Sequence, residues 1–447
     1  MEKTFKFVDS SAKVDRVTRK LMRSHVMKGK NAGKTVHRRS RFELSAGRTP
    51  CGDASFPNEE ARKRNAEELG PVARNLGNVL RTFQFPVELS ESSLKSIDQF
   101  FLFITEKMYP SQLGLSSNEY KYDWLLTTFI DEDASYCSLA LMASTNAFFI
   151  SGGISPPKAL SYLSNTLSLV KRRMQGEEAL SDSTLCMVMM LILQEQIRHE
   201  KASQIHYEGL RKMIKLRGGL SRLESCPTLL LKMSKMDILH ALRYGKPVLF
   251  FRDRMSEVRS TLLSMGFNFY SDIQDILVDV ISITTLFNNP PTRQTLDITT
   301  FLEIVISICC RLIRFRPLQS PKPECKREAA YHIGLITFMT TLFLQWDNRR
   351  IQEYDSISRR LREVLDEEFD AHDGDLLLWL LFIASLWFST TSSHWLILRI
   401  RILTVQLDID NWSRVRDSIC KFPWINVLHE KTGRAVWDLV YHGPHRD

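Results

Sequence analysis

Residues 181–196, SDSTLCMVMMLILQEQ, decide the fold. Ser181 and Asp182 are helix-capping types, whose side-chain oxygens accept from the orphan N–H groups of a first turn. The residues behind them are apolar almost all round, the pattern of a helix buried on every side. The next readable segment, HYEGLRKMIKLRGGL (206–220), places Leu210, Met213 and Ile214 on one face. It carries Lys215 and Arg217 in its last turn and closes on Gly218–Gly219, a C-cap pair.

Working outward, SESSLKSIDQFFLFITEKM (90–108) sets Leu94, Ile97, Phe101, Ile104 and Met108 at spacings of three and four behind a serine-rich start. Residues 119–150 read as one or two helices, and the run opened by Pro156 and Pro157 reads as a helix to Met174. Residues 329–346 and 376–388 are again strongly apolar, and Pro-rich breaks at 288–295 and 316–324 separate helical runs. Sustained period-two alternation, hairpin turn chemistry and a fixed repeat are all missing. The expectation is an all-α protein: one large helical regulatory domain over 76–447, preceded by a mostly disordered basic arm over 1–75.

Residues 376–398 hold no Lys, Arg, Asp or Glu, a length that would span a bilayer. Six polar residues from Ser389 to His394 interrupt that stretch, so a buried core helix is the better reading and no membrane is expected.

Charge divides the chain. Residues 1–48 hold 14 Lys or Arg and four Asp or Glu, net +10, while the whole chain is net +9. The rest is near neutral, so the pI of about 9.1 belongs to the arm. The densest part, RKLMRSHVMKGKNAGKTVHRRSR (19–41), has nine Lys or Arg and no acidic residue. Its candidate contacts are Arg19, Lys20, Arg23, Lys28, Lys30, Lys34, Arg38, Arg39 and Arg41. Such a block suits an acidic partner. Three readings stay open: a solvated tail or import signal bound by a nuclear import receptor, a DNA-contacting arm, and a helix for a membrane surface or calmodulin. A short amphipathic helix over 11–27 would be marginal alone.

Catalytic chemistry is hard to place. KGKNAGKT (28–35) has three residues between Gly29 and Gly33, where a phosphate loop needs four. DEEFD (366–370) looks like an acidic metal–diphosphate motif but has no second cluster, and it reads as a solvated helix end, as does DED at 131–133. His206 reads as a capping or packing residue at a helix start. The eight cysteines lack zinc spacing and C-x-x-C pairs, the usage of a reduced intracellular protein. HExxH and G-x-S-x-G are absent. The expectation is no enzyme, no metal and no cofactor. The first twenty residues are charged throughout, without a secretory signal's apolar core.

Four stretches together resemble the fungal-specific transcription-factor domain, in a branch with a basic N-terminal segment. They are FKFVDSS (5–11) with RVTRKLMRSHVMKGK (16–30); residues 181–196 with 206–223, ending in the Leu-Arg-Gly-Gly-Leu turn; GDLLLWLLFIASLWFS (374–389) with His394 and Trp395; and KFPWINVLHEKTGRAVW (421–437), with Trp424, His429, Gly433 and Trp437. The resemblance implies a helical regulatory domain, a nuclear location and control of transcription with DNA or other transcription proteins as partners. Many relatives add a zinc cluster of six closely spaced cysteines. In this sequence Cys51 is the first and Cys137 the next, so that cluster is absent. Two function classes follow: a nuclear regulator whose arm contacts DNA phosphates, and a helical scaffold or co-regulator that acts through partner proteins. A helical enzyme using residues 366–370 is the distant third.

Overall fold

The computed structural model describes residues 80, 82–103, 113, 115–116, 118–150, 158–196, 200–255, 273–289, 296–343, 345–346, 349–350, 354–388 and 394–442. The nine candidate arm residues from Arg19 to Arg41 therefore lie outside the described residues, as does the 11–27 helix.

The described residues are helical with almost no sheet. The N-terminal half holds α1 (Glu91–Phe103), α2 (Asn118–Thr128), α3 (Glu132–Ile150), α4 (Lys158–Met174), α5 (Asp182–Gln196) and α6 (Glu200–Arg217). A middle group follows: α7 (Pro227–Tyr244), α8 (Ile273–Asn288) and α9 (Ile298–Phe315). The C-terminal half holds α10 (Lys326–Thr341), α11 (Asp355–Leu365), α12 (Gly374–Trp387), α13 (His394–Gln406), α14 (Trp412–Ile419) and α15 (Asn426–His442). Two tiny ladders complete it: β1 (Leu115–Ser116) lies parallel to β2 (Leu296–Asp297), and β3 (Gln345–Trp346) antiparallel to β4 (Arg349–Arg350).

Local chemistry sets the ends. The Ser181 hydroxyl accepts from Thr184 N at 3.2 Å and starts α5. Ser90 does the same for α1, Asp131 for α3, Asp297 for α9 and Asn411 for α14. Pro227 opens α7 at a position where its missing N–H costs nothing. At the end of α6, Gly218 and Gly219 take φ of 106° and 91°, and Gly219 N donates to Ile214 O at 2.9 Å. Side-chain-bearing residues rarely adopt that backbone, which is why glycine stands there.

The core is continuous. In the N-terminal half α5 packs against α3, α4 and α6, with Leu185–Ile192 all buried. In the C-terminal half α12 packs against α10, α11, α13, α14 and α15. Helix α7 joins the halves, touching α2 and α5 on one side and α9 and α11 on the other. The 376–388 run is indeed a core helix: Trp379 and Phe382 have no exposed surface. Among the described residues, no helix is long and apolar enough to cross a membrane.

Several expectations shift in detail. Residues 119–150 form two helices, because Asp131 caps a new one. Helix α6 starts at Glu200, so His206 sits inside it and not at its start. The 329–346 helix stops at Thr341, short of the β3–β4 ladder. Leu94 is 37% exposed, while Ile97 and Phe101 are buried. DEEFD keeps its expected place as a solvated helix end: α11 stops at Leu365, Asp366 and Asp370 are exposed, and the two share no helical face.

Candidate functional site

A groove of about 670 Å3 opens between α1, α3 and α4. Its polar lining comes from Ser92, Ser96, Tyr136, Tyr162, Asn165 and Thr166, and its apolar lining from Leu139, Ala140, Ala143 and Leu169. None of these side chains is charged. The helix starts explain the hydroxyls: α1 opens with a run of serines that cap one another before its apolar stripe begins.

Behind the groove lies a buried polar pair. Gln194 of α5 donates from Nε2 to Thr166 Oγ1 at 3.3 Å, while its Oε1 has no partner among the described residues. The Cys137 thiol also hydrogen-bonds to Thr166, and burial pushes that thiol up to about 12. A thiol so held is neutral and unreactive at neutral pH. Hydroxyls and an amide over an apolar floor suit an uncharged molecule, since they can orient hydrogen bonds but balance no charge.

Helix α7 carries a second concentration of polar groups. Asp237 Oδ1 accepts from the Tyr207 hydroxyl at 2.5 Å, and its Oδ2 accepts from Leu249 N and Phe250 N, each at 2.8 Å. The carboxylate thereby fixes the chain that leaves α7. The His240 ring stacks on Tyr207 at 3.9 Å, and burial pushes it down to about 4. Lys232 Nζ is shielded from solvent without a hydrogen-bond partner and lies 3.7 Å from the centroid of the Trp124 ring. Burial holds that ammonium well below its ordinary range, and the Cys186 and Cys226 thiols and Asp123 pull it back up. Lys235 is lowered to about 8 by burial. Perturbed groups of this kind mark candidate sites, but the Lys232–Trp124 contact is also a self-sufficient cation–π pair. Among the described residues no carboxylate or imidazole is hydrogen-bonded to Lys232.

The DED motif at 131–133 is structural. Asp131 and Asp133 are not a solvated helix end: Arg173 bridges them at 2.6 and 2.9 Å, and Ser183 donates to Asp131 at 2.6 Å. Arg173 also reaches Glu178, and Arg172 reaches Asp133. These contacts pin the end of α4 to the starts of α3 and α5. Arg252, 8% exposed, plays the same part for Glu303 and Glu224, and Arg311 for the fully buried Asp279. The oxygens and nitrogens of Asp370, His372 and Asp373 lie within 4.8 Å of one another, but Asp373 is already paired with Arg327 at 2.6 Å.

The C-terminal motif is a packing device. Asn288, the last residue of α8, donates to Trp424 O at 2.7 Å and accepts from Asn426 N at 2.8 Å. His429 Nδ1 accepts from Ile425 N at 3.1 Å, so its Nε2–H donates to Thr341 Oγ1 at 2.9 Å. A Cβ on Gly433 would come within 2.9 Å of Trp424, so only glycine admits that indole.

A sequence model of the fungal-specific transcription factor domain matches residues 99–419, most of the chain. The chain belongs to this family. No curated protein and no solved structure matches it. Family membership makes transcription regulation the field in which this helical body works. The match covers the α3 and α4 walls of the groove, α7 and the buried α5 and α12, and leaves the groove's Ser92 and Ser96 and the arm outside it.

Proposed function

We propose that this protein is a nuclear transcriptional regulator whose N-terminal arm supplies electrostatic DNA contact and an import signal. The observation that carries the reading is the charge division: net +10 in residues 1–48, ahead of a near-neutral body. Arg19, Lys20, Arg23, Lys28, Lys30, Lys34, Arg38, Arg39 and Arg41 would meet phosphates, releasing counterions without reading bases. His37–Arg41 has the composition of an import signal and would also fit a minor groove. In this reading the chain divides near residue 75 into arm and helical body. The body receives the signal, and the uncharged groove between α1, α3 and α4 is its receiver for an uncharged effector.

The test is a fluorescent fusion with and without residues 1–48, followed for nuclear retention and promoter occupancy. Loss of both on truncation is expected. Unchanged retention and occupancy would refute the arm's role.

A second reading has its own observation, the absence in this sequence of the six-cysteine cluster. Here the body is a helical scaffold or co-regulator that reaches promoters through other transcription proteins. Tight, sequence-dependent DNA binding by the isolated protein would overturn it.

A further inference from the structure

One face of α6 is left uncovered by the described residues. The inner face, with Tyr207, Leu210, Met213 and Ile214, is buried. On the outer face Ile205 is 71% exposed and Leu216 76%, among the most exposed large apolar residues described. Gly209 lies between them, at the spacing of four and seven residues that aligns side chains along one helical row. That glycine is unexplained by the fold: a Cβ there would meet nothing within 4 Å. A glycine inside a helix costs stability relative to alanine, so it signals close approach by something outside the body. Beside this row run the exposed Lys201, Lys212 and Lys215. Glu208, a carboxylate on the same side, is held by Arg211 of the same helix at 3.2 Å.

We propose that Ile205, Gly209 and Leu216 form a docking row for an acidic amphipathic helix of a partner protein. The partner's apolar residues would straddle Gly209 while its carboxylates meet Lys201, Lys212 and Lys215. A second copy of this chain is the wrong occupant by charge. Antiparallel pairing about Gly209 would set Lys201 against Arg217, and like charges across an interface oppose association. The basic arm is excluded for the same reason. The surface does not depend on whether the arm binds DNA.

The test uses full-length protein and a synthetic helical peptide of roughly 20 residues, long enough to hold a helix in water. The peptide carries leucines on one row, alanine at its centre and glutamates along the flank; its control replaces each glutamate by lysine. Fluorescence anisotropy should show saturable binding of the acidic peptide and none of the control. Gly209→Leu, which has open space around it, and Lys212→Glu should each weaken binding about tenfold. Gly209→Ala should weaken it too, yet raise the Tm of the free protein by about 2 °C, because it removes a helix-interior glycine. Binding that survives all three substitutions would belong to the basic arm and overturn the proposal. So would absence of saturable binding, or a dimer that Gly209→Leu dissociates.

Discussion

Acid should unfold this protein through its buried histidines, and His429 shows how much. Its ring is almost fully buried, Nδ1 accepts from Ile425 N, and the other nitrogen donates to Thr341. A proton on Nδ1 would break the first bond and place a charge beside Trp424 and Phe338. Burial accordingly pushes His429 down from near 6.5 to about 3. Well above pH 6.5 the residue is neutral in both folded and unfolded chains and contributes no pH dependence. Below it the unfolded chain takes up a proton that the folded one refuses, so stability falls until the pH reaches the folded value. Between pH 6.5 and pH 5 the loss through this residue is about 2 kcal/mol, at about 1.4 kcal/mol per pH unit. Urea unfolding of the wild type and His429→Gln, at half-unit steps from pH 7.5 to 5, isolates the effect from other titrating groups. The variant should be less stable at pH 7 and have a pH slope shallower by about 1.4 kcal/mol per unit. Parallel slopes would refute the argument, because they would mean that His429 is free to protonate in the folded chain.

Other consequences follow from the packing. Gly334 lies where a Cβ would come within 2.4 Å of the Trp379 ring, so Gly334→Ala should cost about 3 kcal/mol and lower Tm. Arg173→Gln removes the group that bridges Asp131 and Asp133 and should cost about 2 kcal/mol by urea unfolding, since both acids are largely shielded. Asp237→Ala leaves the Tyr207 hydroxyl and two backbone N–H groups without their acceptor, so it should destabilise more than Tyr207→Phe, by about 2 kcal/mol. Equal losses for the two would mean that the backbone bonds to Asp237 contribute little.

The helices that sequence reading finds are those whose burial leaves a simple pattern. Helices α5 and α12 are apolar on every side, and Ser181 and Gly218–Gly219 announce ends that the structure keeps. Helix α7 gives no such pattern, because Lys232, Lys235 and Asp237 look like surface residues. Charged side chains are seldom buried unless paired, and nothing local reveals that Trp124 or Tyr207 will meet them. DED at 131–133 was equally opaque: its partner Arg173 is some forty residues away and arrives only when α4 packs. The groove needs three separate helices, each ordinary alone. Gly433 and His429 are visible as a motif, but their purpose, admitting an indole and tying α15 to α10, appears only in three dimensions.

Under the proposed function the basic arm, and not a six-cysteine cluster, supplies contact with DNA. Duplex binding of the full chain and of a chain lacking residues 1–48, measured from about 50 to 200 mM salt, tests that claim most directly. The full chain should bind without a defined motif, its binding should fall steeply with salt as several phosphate contacts are lost, and a chain without the arm should not bind. Equal binding by both chains, or none by the full chain at the lowest salt, would contradict the arm's role.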